Sequence, residues 1–368
     1  MAPRIKPGQD VGLYGEAVNA EAASKLHGKW GAPPFSVLLA NGGEWAKRKR
    51  ELLSLGFRSE EGRGDNLLKM SDTMLEPDPE KRAAKKAMGK AFNTTDWIKE
   101  NGKPGDAAHD GAPLANGTSI FDPVLAENAY TWFCPKGGRI LDPFAGGSVR
   151  GLVAAISERH YFGCDLRAEQ IAANQRQAAE IPDAAKWNRL ERGNLAAYPP
   201  IWHCGDSRQI IHHVGQYPII DKPFDMIFSC PPYADLEVYS DDPADLSTLA
   251  YADFRAAYFD IIKKSCLMLR QDAFACFVIG EVRDKKGIYY NFVGDTIEAF
   301  QAAGLAYYNE MILVTATGTA AMRADKQFMS SRCCVKGHQN VLVFVKGDRK
   351  IAAQRINESE GLEKGTGV

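Results

Sequence analysis

The sequence predicts an α/β fold: a doubly wound, mostly parallel sheet of seven strands with an N-terminal accessory region. Three observations point there. From Ser119 onward, short apolar runs alternate with amphipathic helical windows, the pattern of βαβ units. The early apolar runs end in acids or small-residue turns, and sheets of this kind bind ligands outside the carboxyl ends of their strands. Residues 1–118 lack the alternation altogether.

In chain order, the N-terminal region holds a basic helix, Trp45–Leu55 (WAKRKRELLSL), and a second helix from Pro79 to Phe92, announced by Pro77. Asn101–Thr118, rich in Gly, Pro, Ala and Asp, reads as a linker or loop. The strands follow at Arg139–Phe144, Tyr161–Leu166, Ile201–Asp206, Phe224–Cys230, Phe274–Val282, Ala306–Val314 and Asn340–Lys346. Helical windows separate the early strands, so these pair in parallel. The division is then 1–118 accessory and a candidate recognition region, 119–347 the main domain, and 348–368 a polar C-terminal tail.

Composition narrows the class. The 368 residues are 45% hydrophobic and 25% charged, with a net charge of −1. No run approaches the ~20 apolar residues of a membrane helix, and Met1–Asp10 lacks a signal-peptide core. A cytoplasmic protein without a membrane partner is the expectation. The eight cysteines have no metal-ligand spacing, so neither a zinc site nor a disulfide framework is expected. Charge is uneven: residues 46–103 hold 14 Lys+Arg against 10 Asp+Glu. That basic stretch either faces phosphate or is a solvated helical surface.

The strand ends carry the chemistry. The first strand closes on Asp142-Pro143-Phe144-Ala145-Gly146-Gly147-Ser148, a small-residue loop that runs into a helix. Such a loop lets backbone approach a ligand and presents free N–H groups, although tight turns need glycine for other reasons too. The second strand ends at Asp165, about 20 residues on, where an acid suits ribose hydroxyls or caps the next helix. The third ends at Asp206, placed to accept from an adenine amino group or to cap the Arg208 helix. There is no G-x-x-x-x-G-K-(S/T), which argues against a nucleoside triphosphatase, and the loop departs from the dinucleotide pattern.

The fourth strand stops at Cys230-Pro231-Pro232-Tyr233. Two prolines cannot continue a central strand. They stiffen the backbone and leave carbonyls that can accept from a substrate amine, and Tyr233 offers a flat face for a planar base.

Asp142-Pro143-Phe144-Ala145-Gly146 followed by Cys230-Pro231-Pro232-Tyr233 resembles the paired signature of S-adenosylmethionine-dependent DNA amino-methyltransferases. Those enzymes carry a D-P-F-x-G cofactor motif and a (D/N/S)-P-P-(Y/F/W) catalytic motif. Ser119–Pro123, including Asp122, resembles their additional cofactor motif, and His338–Phe344 their last strand. Pro231–Ser247 and Gly280–Gly287 resemble methylases common in phages and prophages.

The resemblance covers about 119–347. It implies a Rossmann-like methyltransferase domain, S-adenosyl-L-methionine as cofactor and double-stranded DNA as partner. The target base is flipped out, and its exocyclic amine is polarised by residue 230 and a proline carbonyl. Asp122, Asp142, Phe144, Gly146, Asp165 and Asp206 would bind cofactor; Cys230, Pro231, Pro232, Tyr233 and Glu281 would serve catalysis. Oligomeric state and recognition sequence stay open, as does a partner restriction enzyme.

Two positions depart from the family. Ser148 replaces a second glycine, which a negative φ would permit. Cys230 stands where Asp, Asn or Ser is usual, and a thiol is a weak acceptor. Its size is nearest Ser, which favours N4-cytosine, then N6-adenine. The rival is C5-cytosine chemistry, with the Cys230 thiolate as nucleophile and Glu281 on the ring. An RNA or small-molecule methyltransferase, an inactive DNA-binding module and a nicotinamide oxidoreductase are the other classes. Around the tetrapeptide, Asp235, Glu237, Asp241, Asp242 and Asp245 read as base readers, cation ligands or a solvated cap, and Lys285, Lys286, Arg323, Lys326, Arg332 and Lys336 as phosphate contacts.

Overall fold

Alternation of apolar residues at period two lets each strand feed two cores, and this organises the molecule. In the computed structural model, which describes residues 26, 28–40, 42–57, 121–180, 198–218, 220–233, 240, 242–284, 286–315 and 320–362, Ile140 faces one core and Leu141 the other. Met226 and Phe228 oppose Ile227 in the same way, Phe224 being set off from them by a register shift in the pairing with the next strand, and Val341, Val343 and Val345 oppose Leu342 and Phe344.

Eight strands are present among the described residues: β1 Val37–Leu39, β2 Arg139–Asp142, β3 His160–Asp165, β4 Ile201–Cys204, β5 Phe224–Ser229, β6 Leu269–Ile279, β7 Ala306–Val314 and β8 His338–Lys346. Their order is β1-β7-β8-β6-β5-β2-β3-β4. Only β8 runs antiparallel to its neighbours, wedged between β6 and β7. The expected doubly wound, mostly parallel sheet is present, with one strand more than the sequence suggested. The extra strand is β1, three residues long and so too short to leave a periodic signal. It pairs with β7 through Val37–Ile312 to Leu39–Val314.

The helices divide between the two faces. One face carries α1 Gly43–Leu53, α2 Pro123–Phe133, α3 Val149–Ile156, α4 Ala168–Glu180 and a C-terminal helix. The other carries α5 Ile210–Gly215, α6 Tyr251–Met268 and α7 Phe292–Ala302. Between β7 and β8 lies α8, Ala320–Ser331.

Two expectations are corrected here. The segment from 348 is not simply a polar tail, since Arg349–Ser359 forms α9, capped by Asp348, which accepts from Lys350 and Ile351 N–H at 2.6 and 3.4 Å. Only Ala352 and Ile356 of α9 are buried, so its composition hides a packed helix. Two cations of the basic helix α1 likewise turn inward, while Lys47 and Arg50 stay exposed. Arg48 grips Glu127 with two hydrogen bonds, at 2.8 and 2.5 Å, and Lys49 pairs with Asp122 at 3.0 Å. Pro79–Phe92 and Asn101–Thr118 lie outside the described residues. Among the described residues no helix is long and apolar enough to cross a membrane.

Candidate active site

Parallel pairing of β2 with β3 and with β5 sets three strand ends side by side. Asp142 is in register with Gly163, and Leu141 with Ile227. The loop after β2 therefore lies between Asp165, at the end of β3, and the Cys230–Tyr233 turn after β5. The two motifs are directly joined, because Ser229 Oγ donates to Asp142 Oδ1 at 2.5 Å.

Asp142 is fully buried. Besides Ser229 it accepts from Phe144 N–H at 3.1 Å, Arg150 Nε at 2.6 Å and Tyr161 Oη at 2.7 Å. With four donors around it, Asp142 braces the loop from beneath and does not present an open acceptor to a ligand. Arg150, from α3, completes the brace. Its Nη2 donates to Ala145 O at 2.8 Å and also to Phe144 O, and its guanidinium lies 4.9 Å over the Phe121 ring. Burial opposes the Arg150 charge, but Asp142 overcomes it and holds the group firmly protonated. Sequence reasoning missed Arg150, although a lone Arg in the apolar run VRGLVAAI is a signal.

The loop geometry explains its small residues. Gly146 has φ +51°, and its N–H donates to Asp165 Oδ2 at 2.9 Å while its carbonyl accepts from Asn174 Nδ2 at 2.7 Å. A Cβ on Gly163 would come within 2.7 Å of Ala145 Cβ and of the Tyr161 ring, so glycine there lets the loop sit close against β3. Ser148 has φ −64°, the negative value a side chain tolerates, and its Oγ donates to buried Gln177 at 2.7 Å. Gln170, Asn174 and Gln177 form a buried polar stripe on α4 that steadies the loop. Their i, i+4, i+7 spacing was legible and unread.

Asp165 also accepts from Arg167 N–H at 2.9 Å, and burial pushes its carboxyl above the usual range. Asp206 lies at the end of the next strand. It caps a short helical turn by accepting from Arg208 N–H at 2.9 Å and pairs with the Arg208 guanidinium at 2.7 Å. Phe144 is half-buried, tilted against Tyr258 at 6.0 Å and edge-on to Phe277. Asp122 is not at hand as an open acceptor. It caps α2 by accepting from Val124 and Leu125 N–H, and it takes further bonds from Trp45 and Lys49 of α1.

Across from the loop, Cys230 is half-buried, with Sγ 3.8 Å from Tyr233 Oη. Pro231 is buried and Pro232 half-buried. Tyr233 leans on Phe292 and takes a hydrogen bond at Oη from Gln339 Nε2 at 2.8 Å. Glu281 is placed otherwise than expected. Its oxygens accept from Phe292 and Val293 N–H at 3.0 and 3.2 Å, so it caps α7 from outside the helix. No sequence spacing reveals such a cap, because the carboxylate comes from 11 residues upstream.

The other charged candidates sort plainly. Asp245 is a buried cap for Ser247, also bound by Ser240, and Asp242 accepts from Ala244 N–H. Arg332 stacks on Phe328. Lys336 is not a surface cation, since its Nζ is enclosed and has no hydrogen-bond partner among the described residues. Burial lowers its pKa, partly offset by nearby Glu281. Asp235, Glu237, Asp241, Lys285 and the Arg323 side chain lie outside the described residues. Among the described residues there is no cluster of His, Cys, Asp and Glu able to hold a metal ion. A cavity of about 610 Å³ lies at the opposite edge of the sheet, lined in part by Arg139, Arg270 and Arg355, away from the expected site residues.

No protein-family model and no curated protein matches the sequence. Solved structures similar in shape include TrmN from Thermus thermophilus, at 14% identity and TM-score 0.37, covering 61% of this chain and 49% of that one. A SAM-dependent methyltransferase from Methanosarcina mazei is 12% identical at TM-score 0.37, covering 58% of this chain and 95% of that one. A protein named as a candidate DNA modification methylase, also from Thermus thermophilus, is 13% identical at TM-score 0.28, covering 39% of this chain and 51% of that one. The chain thus spans about half the length of TrmN and of the DNA methylase. At these identities and TM-scores the likenesses carry no argument about activity.

Proposed function

We propose that the chain is an S-adenosylmethionine-dependent methyltransferase acting on the exocyclic amine of a base flipped out of DNA, with N4 of cytosine favoured over N6 of adenine. One observation carries the reading. The cofactor-type loop and the Cys230–Tyr233 turn open at the same sheet edge, joined by the Ser229–Asp142 bond.

The loop fits a nucleoside cofactor on its own chemistry. Asp165 sits beside Gly146 N–H with a half-buried carboxylate, suited to ribose hydroxyls. Asp206, on the next strand, stands where an adenine amine would be read, provided Arg208 gives way. When bound, S-adenosylmethionine would supply an electrophilic methyl group. The chain's own residues would position the amine. Pro231 O accepts a hydrogen bond from it, Cys230 contributes a weak sulfur acceptor, and Tyr233 stacks on the base. Positioning of this kind supplies much of the acceleration in a transfer between two bound partners.

The C5 alternative needs a nucleophile and an acid on the ring. Glu281 has both oxygens on the N-terminus of α7, which weighs against it. The decisive experiment treats unmethylated DNA and, in parallel, RNA with the protein and labelled S-adenosylmethionine, then identifies the nucleosides by mass spectrometry. N4-methylcytosine or N6-methyladenine supports the reading. 5-Methylcytosine replaces it with the C5 mechanism, and label in RNA only moves the substrate class.

A further inference from the structure

We propose that Lys336 contacts the target base, its ammonium donating a hydrogen bond to a ring acceptor of the aminated base seated on Tyr233. The inference rests on the methyltransferase reading above and names a residue that would recognise its substrate.

Lys336 lies just before β8, next to Gly337, whose carbonyl accepts from Thr315 N–H at 3.2 Å. That bond ties the segment to the end of β7, at the site edge of the sheet. From there the side chain reaches Gly280, at the end of β6. A point one Cβ out from Gly280 is 3.4 Å from Lys336 Nζ and 3.5 Å from Tyr233 Cε2. The ammonium and the tyrosine ring therefore pack against the same buried glycine, which has no side chain to hold them apart. Gln339, three residues later, holds Tyr233 Oη. One short segment thus touches the proposed stacking residue and sets a cation beside it.

An ammonium has three donors and no acceptor. Enclosed and without a partner among the described residues, it carries the cost of a desolvated charge. Glu281, whose charge acts on Lys336, is spent on the amides of Phe292 and Val293. A ligand acceptor arriving over Tyr233 would remove the cost. Cytosine and adenine both carry a ring nitrogen beside the exocyclic amine, so one base can meet Pro231 O with its amine and Lys336 with that acceptor. A backbone phosphate fits the place poorly, because it stays at the surface of the duplex whereas Nζ is enclosed.

The test compares wild type with Lys336→Met, which keeps the stem and removes the charge. Substrate is unmethylated plasmid DNA with S-adenosylmethionine. The expected result is wild-type cofactor affinity by calorimetry, a melting temperature no lower than wild type, and kcat/KM down by about tenfold or more, the worth of a hydrogen bond to a charged group. The slope of DNA affinity against salt should not change. Unchanged kcat/KM overturns the proposal. So does uniformly weaker DNA binding with the salt slope reduced by about one, which marks a phosphate contact. Should Lys336→Met fail to fold, Lys336→Arg, retaining a cationic donor, and Lys336→Gln carry the same comparison, with Arg the more active. Wild-type protein that methylates no DNA sinks the underlying reading before the variants are compared.

Discussion

Ser229 donates its hydroxyl proton to Asp142 at 2.5 Å, across the boundary between two adjacent parallel strands. The residue that ends β5 before the Cys230–Tyr233 turn is thereby held by the residue that opens the loop after β2. Buried Asp142 also collects Arg150 and Tyr161, so both halves of the proposed site share one anchor.

Removing that anchor should cost stability before it costs binding. Asp142→Ala leaves the Arg150 charge buried and uncompensated, a loss of about 3–5 kcal/mol. Ser229→Ala should cost about 1 kcal/mol. Chemical denaturation of the two variants measures both, and equal losses would contradict the ranking.

Asp165 should govern cofactor affinity and its pH dependence. Burial holds its carboxyl above the usual range. The ionised form accepts from ribose hydroxyls, so affinity is full above the raised pKa and falls as pH drops through it. Asp165→Ala should weaken S-adenosylmethionine binding by about tenfold or more and flatten that acid limb. Calorimetry across the acid range reads both effects.

Cysteine at position 230 separates the two chemistries. For amine methylation, Cys230→Ser should match or exceed wild-type kcat, because a hydroxyl is the better acceptor, while Cys230→Ala falls by about tenfold. For C5 chemistry, Ser abolishes turnover along with Ala. Single-turnover rates on the same DNA decide.

Tyr233→Phe should keep most activity, losing the bonds made at Oη, those with Gln339 and Cys230 among them. Tyr233→Ala removes a stacking surface worth about 1–3 kcal/mol per base. The loss should fall on KM for DNA, with cofactor affinity untouched. Steady-state kinetics in each substrate checks the split.

The loop should resist side chains at two points for different reasons. Gly146→Ala must adopt φ +51°, at about 1–2 kcal/mol. Gly163→Ala drives a methyl group against Ala145 and Tyr161 and should be the worse of the two. Melting temperatures and cofactor titration of both variants give the order.

The sequence alone determined what is local. Apolar alternation located β2 to β8 within a few residues, because period two and period 3.6 are written in neighbouring positions. The turns after β2 and β5 were legible because glycine and proline constrain the backbone where they stand. Tertiary structure decided the rest. β1 joins the sheet from the N-terminal region only because β7 offers an edge. Glu281, read as a catalytic acid, caps α7, while Lys336, read as a phosphate contact, is enclosed beside Tyr233. Asp142 and Asp122 were read as ligand contacts and are engaged by arginine, lysine, tyrosine, serine and tryptophan partners. A side chain's type states what it can bond. Which partner it meets depends on segments tens of residues away, and only the packed chain brings those together.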